Sequence, residues 1–515
     1  MSSKILWADD EIDLLKPHVM FLQDKGYLVT TVNNGSDAAD LVESENFDII
    51  FLDENMPGLS GLETLAKIKA MKPMIPVVMI TKSEEEAIME EAIGSKISDY
   101  LIKPVNPNQI LLSVKKNLDN KKLINERTTT NYQQAFRNIG MSLSDRLDVE
   151  EWKEVYRKLV YWELELQAGS DGVMEEVLTM QKTEANNYFS RYLSDNYIDW
   201  LQGKSKDTPL MSHNVFKEKI APQISEKPLF MIVIDNLRFD QWKIIEPSLR
   251  DLYIVDKEEI YFSILPTATQ YARNALFAGL MPSEIQKLYP SLWKNDDEEG
   301  GKNMNEEELL AGQLKRLGKD IKFTYHKITK LEAGKKLADN ISNLMTNPLN
   351  VIVYNFVDML SHARTDMEMI KELAEDDAAF RSLTQSWFEH SPLKNILENI
   401  AAKGGKVVIT TDHGTVLVND PIKVIGDRNT STNLRYKSGR NLNYNAKEVF
   451  AITKPELGFL PKSNMSTSYI FAKERQYFVY PNNYNQFMHF YKNTFQHGGI
   501  SLEEVLIPLV TLSPK

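Results

Sequence analysis

Leu229–Asp235, LFMIVID, is the stretch that decides the fold of the second half of the chain. Two other apolar runs share its β-rich composition and also finish in polar groups: Val351–Asp358 (VIVYNFVD) and Val407–His413 (VVITTDH). Apolar runs of this length are typical of buried strands. In open α/β sheets the carboxyl ends of parallel strands present their side chains at one edge. The sequence therefore predicts an α/β domain in which these polar strand ends meet.

Seven residues from five stretches form a candidate ligand set for two metal ions. They are Asp235, Thr269, Asp358, His362, Asp412, His413 and His497. Asp358 and His362 are four residues apart, which puts both on one face if the segment is helical. Mixed histidine and carboxylate ligands suit zinc or manganese better than calcium. These residue types predict metal-assisted phosphate chemistry.

The order of these residues resembles the PglZ-type domain of the alkaline phosphatase superfamily. The similarity runs from about Asp235 to about Leu509 and includes Asp412-His413-Gly414 and the histidine of QHGG. The resemblance implies two Zn²⁺ or Mn²⁺ ions, one held by Asp/Thr/Asp/His and the other by Asp/His/His. It also implies a hydrolase of phosphate esters.

Thr269, in Pro266–Arg273 (PTATQYAR), is the nucleophile that this resemblance implies. A hydroxyl group is a poor nucleophile unless a metal ion or a base lowers its pKa. The product of its attack is a phosphothreonine, which water then hydrolyses. Thr267 stands two residues earlier, on the same face of an extended segment, and remains the alternative nucleophile.

Two arginines close in sequence to the ligands are further candidate catalytic residues. Arg238 follows Asp235 by three positions, and Arg273 follows Thr269 by four. A guanidinium group offers a planar fork of donors to a phosphate whose charge grows in the transition state. The alternative is that both arginines form salt bridges.

The first 120 residues carry a second pattern, in which four apolar stretches end in functional groups. These stretches are Lys4–Asp10, Phe47–Asp53, Val77–Thr81 and Asp99–Lys103. A short βα repeat with right-handed crossovers predicts a flavodoxin-like parallel sheet.

This pattern resembles the receiver domain of response regulators. The matching residues are Asp9-Asp10, Asp53-x-x-Met56-Pro57-x-x-x-Gly61, Thr81 and Tyr100-x-x-Lys103-Pro104. The resemblance implies that Asp53 is phosphorylated and that Thr81, Tyr100 and Lys103 form the switch. It also implies a Mg²⁺ ion, because crowded carboxylates repel one another without a cation. Its ligands are expected at Asp9, Asp10, Asp53 and Asn55.

Between the two patterns, apolar positions such as Trp152, Val155 and Leu159 recur at three and four residues, which predicts helices. The sequence therefore predicts a receiver domain over residues 1–119, a helical linker in the form of a three-helix bundle over 120–205, and a PglZ-type α/β domain over 206–515. The complete order resembles the PorX-like response regulators associated with type IX secretion. That resemblance implies a partner sensor histidine kinase and a homodimer that forms on phosphorylation. An alternative sigma factor or a type IX secretion component is a further candidate partner.

Composition limits the alternatives. The formal net charge of −12 argues against a general duplex-binding role, which needs a basic face. Zero cysteines exclude disulfides and cysteine metal sites. The sequence offers no signal peptide and no transmembrane run, so we expect a cytoplasmic protein without membrane insertion. The basic stretch Pro421–Lys447 is either a guide for a single-stranded nucleotide or a solvated loop.

The predicted function is a response regulator in which phosphorylation of Asp53 controls a two-metal phosphodiesterase acting on nucleotide or oligonucleotide phosphodiesters. The alternative is a non-catalytic signalling adaptor that binds a sigma factor or promoter DNA.

Overall fold

The computed structural model describes residues 3–515 except 74, 83–96, 170–171, 297, 299 and 428–429. Within the helices, the backbone but not the side chains of residues 119–127, 169, 172–173, 364, 366 and 368–370 is described. The chain forms two compact units, Met1–Asn131 and Tyr132–Lys515. Each unit is described by itself.

The first unit is built on a five-stranded parallel sheet in the order β2-β1-β3-β4-β5. Its strands are β1 (Lys4–Ala8), β2 (Leu28–Val32), β3 (Ile49–Asp53), β4 (Val77–Thr81) and β5 (Asp99–Ile102). Its described helices are α1 (Lys16–Asp24), α2 (Gly35–Ser44), α3 (Gly61–Met71) and the start of α4 (Pro107–Ser144), with a 3₁₀ turn at Ile12–Leu15. This is the predicted flavodoxin-like receiver fold.

Strand β2 is the element of this sheet that the sequence analysis does not predict. Its sequence, LVTTV, lies at the sheet edge, and none of its residues is buried. The strands β3 and β4, in contrast, are buried at every position. An edge strand that is solvated on one side has a weak apolar pattern, so it is harder to recognise than the central strands.

The second unit begins with long helices that pack with the rest of the unit. They are the end of α4, α5 (Val149–Gly169) and α6 (Gly172–Leu201). Their buried side chains, such as Trp152, Phe189 and Trp200, belong to the same apolar cluster as the central strands of the sheet. The predicted helical linker, from Tyr132 onwards, is therefore part of one compact unit with the α/β domain.

The α/β domain is built on a mixed six-stranded sheet in the order β7-β18-β10-β6-β9-β8. Its strands are β6 (Leu229–Ile234), β7 (Tyr253–Phe262), β8 (Phe323–Ile328), β9 (Leu349–Tyr354), β10 (Lys406–Thr410) and β18 (Leu506–Pro514). Strands β10, β6, β9 and β8 are parallel, whereas β18 runs antiparallel to both β10 and β7. Three parallel strands thus point the three polar runs towards one edge.

Helices and small sheets surround this sheet. The helices are α7 (Ser212–Val215), α8 (Phe239–Ile245), α9 (Thr269–Ala278), α10 (Pro282–Leu288), α11 (Glu306–Arg316), α12 (Leu331–Leu344), α13 (Phe356–Asp366), α14 (Glu368–Leu373), α15 (Asp377–His390), α16 (Pro392–Ala402), α17 (Tyr484–Tyr491) and α18 (Leu502–Val505). Short 3₁₀ or π segments lie at Phe216–Ile220, Ala221–Gln223, Glu246–Leu249 and Pro455–Gly458. The remaining strands are β11 (Val416–Val418), β12 (Asp420–Lys423), β13 (Tyr436–Gly439), β14 (Val449–Ile452), β15 (Ser468–Ala472), β16 (Gln476–Val479) and β17 (Thr494–Gln496). Among the described residues, no helix has the length and apolar character needed to cross a membrane.

Candidate metal centre and receiver site

The predicted ligands of the α/β domain converge at the carboxyl ends of its central parallel strands. Asp235 follows β6 directly, and Asp412 and His413 follow β10 after one residue. Asp358 differs from the expectation that it ends a strand, because β9 stops at Tyr354 and Asp358 lies in the first turn of α13. This helix places Asp358 and His362 one turn apart on one face.

Thr269 lies at the first position of α9 and faces these ligands. Its hydroxyl oxygen is 3.0 Å from Nε2 of His413 and 3.5 Å from Oδ1 of Asp235. The amino terminus of a helix carries a partial positive charge that favours anions. This position therefore suits both a nucleophilic oxygen and the phosphate that it would attack.

The carboxylate and histidine ligand atoms separate into two groups. One is Asp235, Asp412 and His413, which are all buried, and the other is Asp358, His362 and His497. Within each group the ligand atoms lie within 4.8 Å of one another. The second group is more open, because 63% of the His362 side chain is exposed. The sequence left open which aspartates belong together, and the geometry joins Asp235 to Asp412.

The two groups are in contact through their histidines. The rings of His413 and His497 are stacked, with centroids 4.2 Å apart and an interplanar angle of 19°. The Nδ1 atom of His413 lies 3.0 Å from the carbonyl oxygen of Gly414, and that of His497 lies 3.2 Å from the carbonyl oxygen of Thr267. When Nδ1 carries the proton and donates it to a carbonyl, Nε2 keeps a free lone pair. Both Nε2 atoms then face carboxylates of the site.

The carboxylates fit a metal ion because their charge has few other partners. Oδ1 of Asp358 and Oδ2 of Asp412 are buried and accept no hydrogen bond from the described residues. Each lies close to a histidine Nε2, at 3.6 Å and 3.7 Å respectively. Burial raises the pKa of Asp358 to about 6 and also raises the pKa of Asp412. Buried carboxylates without donors are costly unless a cation compensates them.

Histidine protonation is disfavoured in the same place. Burial lowers the pKa of His413 and lowers that of His497 well below its ordinary value. A neutral imidazole is the form that binds a metal ion. The donor set of oxygen and nitrogen atoms therefore matches the zinc or manganese that the sequence predicts.

Thr267, the alternative nucleophile, has a different environment from Thr269. Its buried hydroxyl donates to the carbonyl oxygen of Gly499 at 2.9 Å and accepts from the amide of Gly498 at 3.0 Å. These two bonds hold the turn that follows His497. The geometry thus gives Thr267 the task of positioning a ligand loop, whereas Thr269 faces the ligands themselves.

Arg273 is fully buried behind Asp235. Its Nη1 lies 2.8 Å from Oδ2 of Asp235, and its Nε lies 2.8 Å from Oε1 of Glu306. The guanidinium is therefore occupied by two carboxylates and is 0% exposed. It contacts a candidate ligand rather than the open pocket, in contrast to the predicted role of phosphate fork.

Arg238 lies on the other side of the Asp235 turn and is also buried. Its Nη1 pairs with Oδ1 of Asp377 at 2.5 Å, and its Nε donates to Oδ1 of Asp240 at 2.9 Å. The guanidinium also lies near the rings of Phe380 and Phe495. These partners place it away from the candidate pocket, so the geometry does not bring Arg238 together with Thr269.

A polar cavity of 340 Å³ opens beside the more exposed ligand group. His362, His497, Gln270, Asp296 and Lys302 are among the residues that line it. Nζ of Lys302 donates to the carbonyl oxygen of Asn295 at 2.5 Å. The ammonium group of Lys302 therefore uses at least one of its donors within its own loop.

The basic stretch Pro421–Lys447 contributes less exposed charge than its sequence indicates. Arg435 is fully buried and pairs with Glu504, at 2.6 Å from Nη2 to Oε2. Lys437 is also buried, and Arg440 pairs with Asp427 at 3.2 Å. Arg428 lies outside the described residues. Arg435 and Lys437 are therefore not available to guide a nucleotide over the surface of this stretch.

The pair Arg435–Glu504 is a positioning feature that sequence reasoning missed. Oε1 of Glu504 accepts from the amide of Gly499 at 2.9 Å, and the Arg435 guanidinium stands against the same glycine. A Cβ atom at Gly499 would lie 2.5 Å from the carbonyl oxygen of Ala472, so the position requires glycine. The two partners are 69 residues apart in sequence, and no local signal joins them.

The receiver site brings the predicted acidic group together at the carboxyl edge of its sheet. Ligand atoms of Asp9, Asp10 and Asp53 lie within 4.8 Å of one another. Nζ of Lys103 is 2.9 Å from Asp9 and 3.0 Å from Asp53. Burial raises the pKa of Asp53 to about 6, against the opposing effect of Lys103. Crowded carboxylates next to one lysine form an acidic pocket that suits Mg²⁺.

The switch residues lie at the same edge. Thr81 is buried at the end of β4, and Tyr100 of β5 hydrogen-bonds to it. Asn55 is exposed in the turn after β3. The peptide bond between Lys103 and Pro104 is cis.

Comparisons with known families cover nearly the whole chain. A model described as the BREX system PglZ alkaline phosphatase-like domain matches residues 215–512. A model of the PorX response regulator linker domain matches 122–201, and one of the response regulator receiver domain matches 5–115.

Individual relatives match over a segment of receiver length. The alginate biosynthesis transcriptional regulatory protein AlgB of Pseudomonas syringae pv. tomato is 34% identical over 120 residues, which cover 23% of this chain and 27% of AlgB. The transcriptional regulatory protein ResD of Bacillus subtilis is 34% identical over 113 residues, which cover 22% of this chain and 47% of ResD. This chain therefore spans less than half the length of either relative.

A solved receiver domain shows the same partial coverage. The CheY-like response regulator receiver domain protein from Methanospirillum hungatei JF-1 is 26% identical and covers 23% of this chain and 96% of its own, with a TM-score of 0.23. The PglZ match alone extends over more than half of the 515 residues. The chain therefore belongs to the PglZ alkaline phosphatase-like family, and together with its receiver and linker domains this makes it a PorX-like response regulator.

Proposed function

We propose that the protein is a response regulator in which phosphorylation of Asp53, by a partner sensor histidine kinase, controls a two-metal phosphodiesterase. The observation that carries the proposal is the position of Thr269. Its hydroxyl lies 3.0 Å from His413 at the amino terminus of α9, beside the two groups of carboxylates and histidines. Two zinc or manganese ions held by these groups would lower the pKa of the hydroxyl and neutralise charge on the phosphate.

The residues of the chain have distinct tasks in this reaction. The Thr269 hydroxyl gives its proton to water, its oxygen attacks phosphorus, the Thr269–phosphorus bond forms, and the bond to the leaving ester oxygen breaks. The leaving oxygen takes a proton from water, and a second water then hydrolyses the phosphothreonine. The start of α9 stabilises the negative charge of the phosphate through its backbone dipoles. Arg273 keeps Oδ1 of Asp235 turned towards Thr269 by holding Oδ2.

The charge of the pocket supports a diester rather than a monoester substrate. A phosphodiester carries one negative charge, whereas a monoester carries up to two at neutral pH. Arg273 lies against two carboxylates, and Lys302, which lines the cavity, donates to a carbonyl group. The amide side chains of Gln270, Asn433 and Gln496 line the same cavity, and each uses one of its two polar atoms for a bond within the protein. Amide groups of this kind pair with the hydrogen-bonding edges of nucleobases through the other atom. We therefore propose a nucleotide or oligonucleotide phosphodiester as substrate.

The biological setting is proposed from the family. Resemblance to PorX-like response regulators supports a role in type IX protein secretion, with an alternative sigma factor or a secretion component as a further partner. Dimerisation on phosphorylation belongs to the same proposal.

The test is hydrolysis of a chromogenic phosphodiester and the corresponding monoester by the zinc-loaded full-length protein. We expect diester turnover in the wild type and its loss in Thr269→Ala and Asp412→Ala. Thr346→Ala is the matched control, since Thr346 is exposed and precedes the amino end of β9, whereas the ligands follow the carboxyl ends of the strands. Diester turnover that survives Thr269→Ala would reject the nucleophile.

Absence of turnover with zinc bound would favour the signalling adaptor. In that case Asp53→Ala would abolish signalling in cells and Thr269→Ala would leave it intact. The enzyme proposal requires both substitutions to abolish it.

A further inference from the structure

A chain of ion pairs, half-buried at its linker end and buried at its other end, runs from the linker helices to the turn that follows Asp235. Its members, in order, are Lys182, Glu163, Arg381, Asp240 and Arg238. The Nζ of Lys182 lies 2.8 Å from Glu163, and Nη1 of Arg381 lies 2.8 Å from Glu163 and 2.9 Å from Asp240. Arg381 also donates from Nη2 to Gln167 at 2.7 Å. A single arginine of α15 thus joins helix α5 to the start of α8.

The turn at the end of this chain contacts the ligand Asp412 and the residue before the ligand His362. The amide of Asn236 lies 3.4 Å from Oδ1 of Asp412, and its side-chain amide donates to the hydroxyl of Ser361 at 3.2 Å. Ser361 lies on α13, directly before His362. Asn236 has a left-handed backbone, with φ of 66°. A shift of Arg238 would therefore move a tight turn that touches one ligand and the neighbour of another.

Helix α6 has a second connection to the site. The side chain of Asn186 donates to Glu503 at 3.1 Å and accepts from the amide of Leu502 at 2.7 Å. The carbonyl oxygen of Glu503 packs against Gly414, where a Cβ atom would lie only 2.0 Å away. Gly414 follows the ligand His413. The linker helices therefore touch the site on two sides.

The ion pairs are poorly explained as a source of stability alone. Buried ion pairs often stabilise no more than apolar side chains of the same volume, because desolvation offsets the attraction between the charges. Burial alone would raise the pKa of Asp240, but the nearby charges of Arg238 and Arg381 lower this pKa to about 2. These groups thus stay charged. Lys182, Glu163 and Arg381 line a cavity of 320 Å³, and Nε of Arg381 has no hydrogen-bond partner among the described residues. The network has space and a spare donor for a second arrangement.

We infer that the linker helices α5 and α6 position the metal-binding residues through this chain, with Arg381 as the positioning residue that joins the two parts. The inference rests on the proposed function. It gives the linker a direct part in the activity of the α/β domain, since displacement of α5 breaks the pair between Glu163 and Arg381 and releases the Asp235 turn.

The test is a set of variants of the full-length protein. Glu163→Gln removes the charge and keeps the shape, and Arg381→Lys keeps the charge but loses the fork that holds two carboxylates. Glu165→Gln is the matched control, because Glu165 is exposed on the same helix. For each variant we would measure the zinc dissociation constant by chelator competition, kcat and KM for the diester, and the thermal midpoint.

We expect Glu163→Gln to raise the zinc dissociation constant and to lower kcat by about 2- to 30-fold, the usual size of such coupling. KM and the control should stay unchanged, and Arg381→Lys should fall between wild type and Glu163→Gln. A lower thermal midpoint with unchanged zinc affinity and kcat would overturn the inference, since the network would then be only structural.

The zinc measurement separates this inference from the proposed function. If the wild type hydrolyses no diester, the proposed function fails, yet a change of zinc affinity in Glu163→Gln still supports positioning. If Glu163→Gln does not fold, Lys182→Met breaks the chain one step farther from the site and decides by the same readouts.

Discussion

Nη1 of Arg273 lies 2.8 Å from Oδ2 of Asp235, and both side chains are buried. The other oxygen of Asp235, Oδ1, consequently faces Thr269 and His413. A partner that fixes one oxygen of a carboxylate ligand orients the other towards the metal ion. The same arginine also binds Glu306, so its position is set from two directions.

Arg273→Lys should therefore weaken zinc binding without abolishing the fold. A lysine keeps the positive charge but cannot hold Asp235 and Glu306 with separate donors of a rigid fork. We expect the zinc dissociation constant to rise by about 10- to 100-fold, as for other residues that orient ligands. Arg250→Lys is the control, since Arg250 is largely exposed. Equal zinc affinity in both variants would contradict this assignment.

Thr267→Val should destabilise the α/β domain and impair the site. The substitution keeps the shape but leaves the amide of Gly498 and the carbonyl of Gly499 without their partner. An unpaired buried polar group costs about 1–3 kcal/mol, which urea unfolding of the second unit would detect. Thr267→Ser retains the hydroxyl and should stay within about 1 kcal/mol of the wild type. A neutral Thr267→Val would show that the turn after His497 needs no such support.

Lys437 should make stability depend on pH. Burial lowers the pKa of Lys437 to about 7, from an ordinary value of 10.5. Between these two pH values the unfolded chain binds more protons than the folded chain, so the free energy of unfolding rises with pH there. One such group contributes a slope of at most about 1.4 kcal/mol per pH unit. Below pH 7 both states are protonated and the slope vanishes.

The measurement is the free energy of unfolding in urea, between pH 6 and pH 10, for the wild type and for Lys437→Met. This range begins just below the pKa of about 7 and covers most of the interval up to the ordinary value. The difference between the two proteins removes the contributions of all other groups. We expect the wild type to gain stability relative to Lys437→Met as pH rises above 7. A difference that does not change with pH would show that Lys437 titrates normally.

Asp53→Asn should prevent the response to a phosphoryl mimic. Asp53 is the carboxylate of the receiver pocket at the end of β3, and Lys103 lies 3.0 Å from it. Beryllofluoride binds an acceptor aspartate and biases the receiver towards its active conformer. Light scattering should show a dimer for the wild type and for Asp40→Asn, whose exposed side chain lies on α2, but a monomer for Asp53→Asn. A wild type that stays monomeric would reject phosphorylation-dependent dimerisation.

Local sequence predicted the parts of the fold whose pattern is strong. Strands β6, β9 and β10 are continuous apolar runs because they are buried on both faces. The edge strand β2 lacks that pattern and was not predicted. Asp358 was expected at the end of a strand, but the apolar run continues into the first turn of α13, where helix and strand have the same composition.

The sequence by itself determined which side chains meet. Carboxylates, histidines and a threonine follow apolar runs, and parallel strands bring their carboxyl ends to one edge, so the order of the residues already predicted the candidate metal site and the acidic receiver pocket. Only the tertiary structure decided how these side chains are used. It paired Asp235 with Asp412, committed Thr267 to a neighbouring turn and buried Arg238 against Asp377, a partner 139 residues away. Hydrogen bonds and ion pairs between distant residues depend on packing, and no local pattern encodes them.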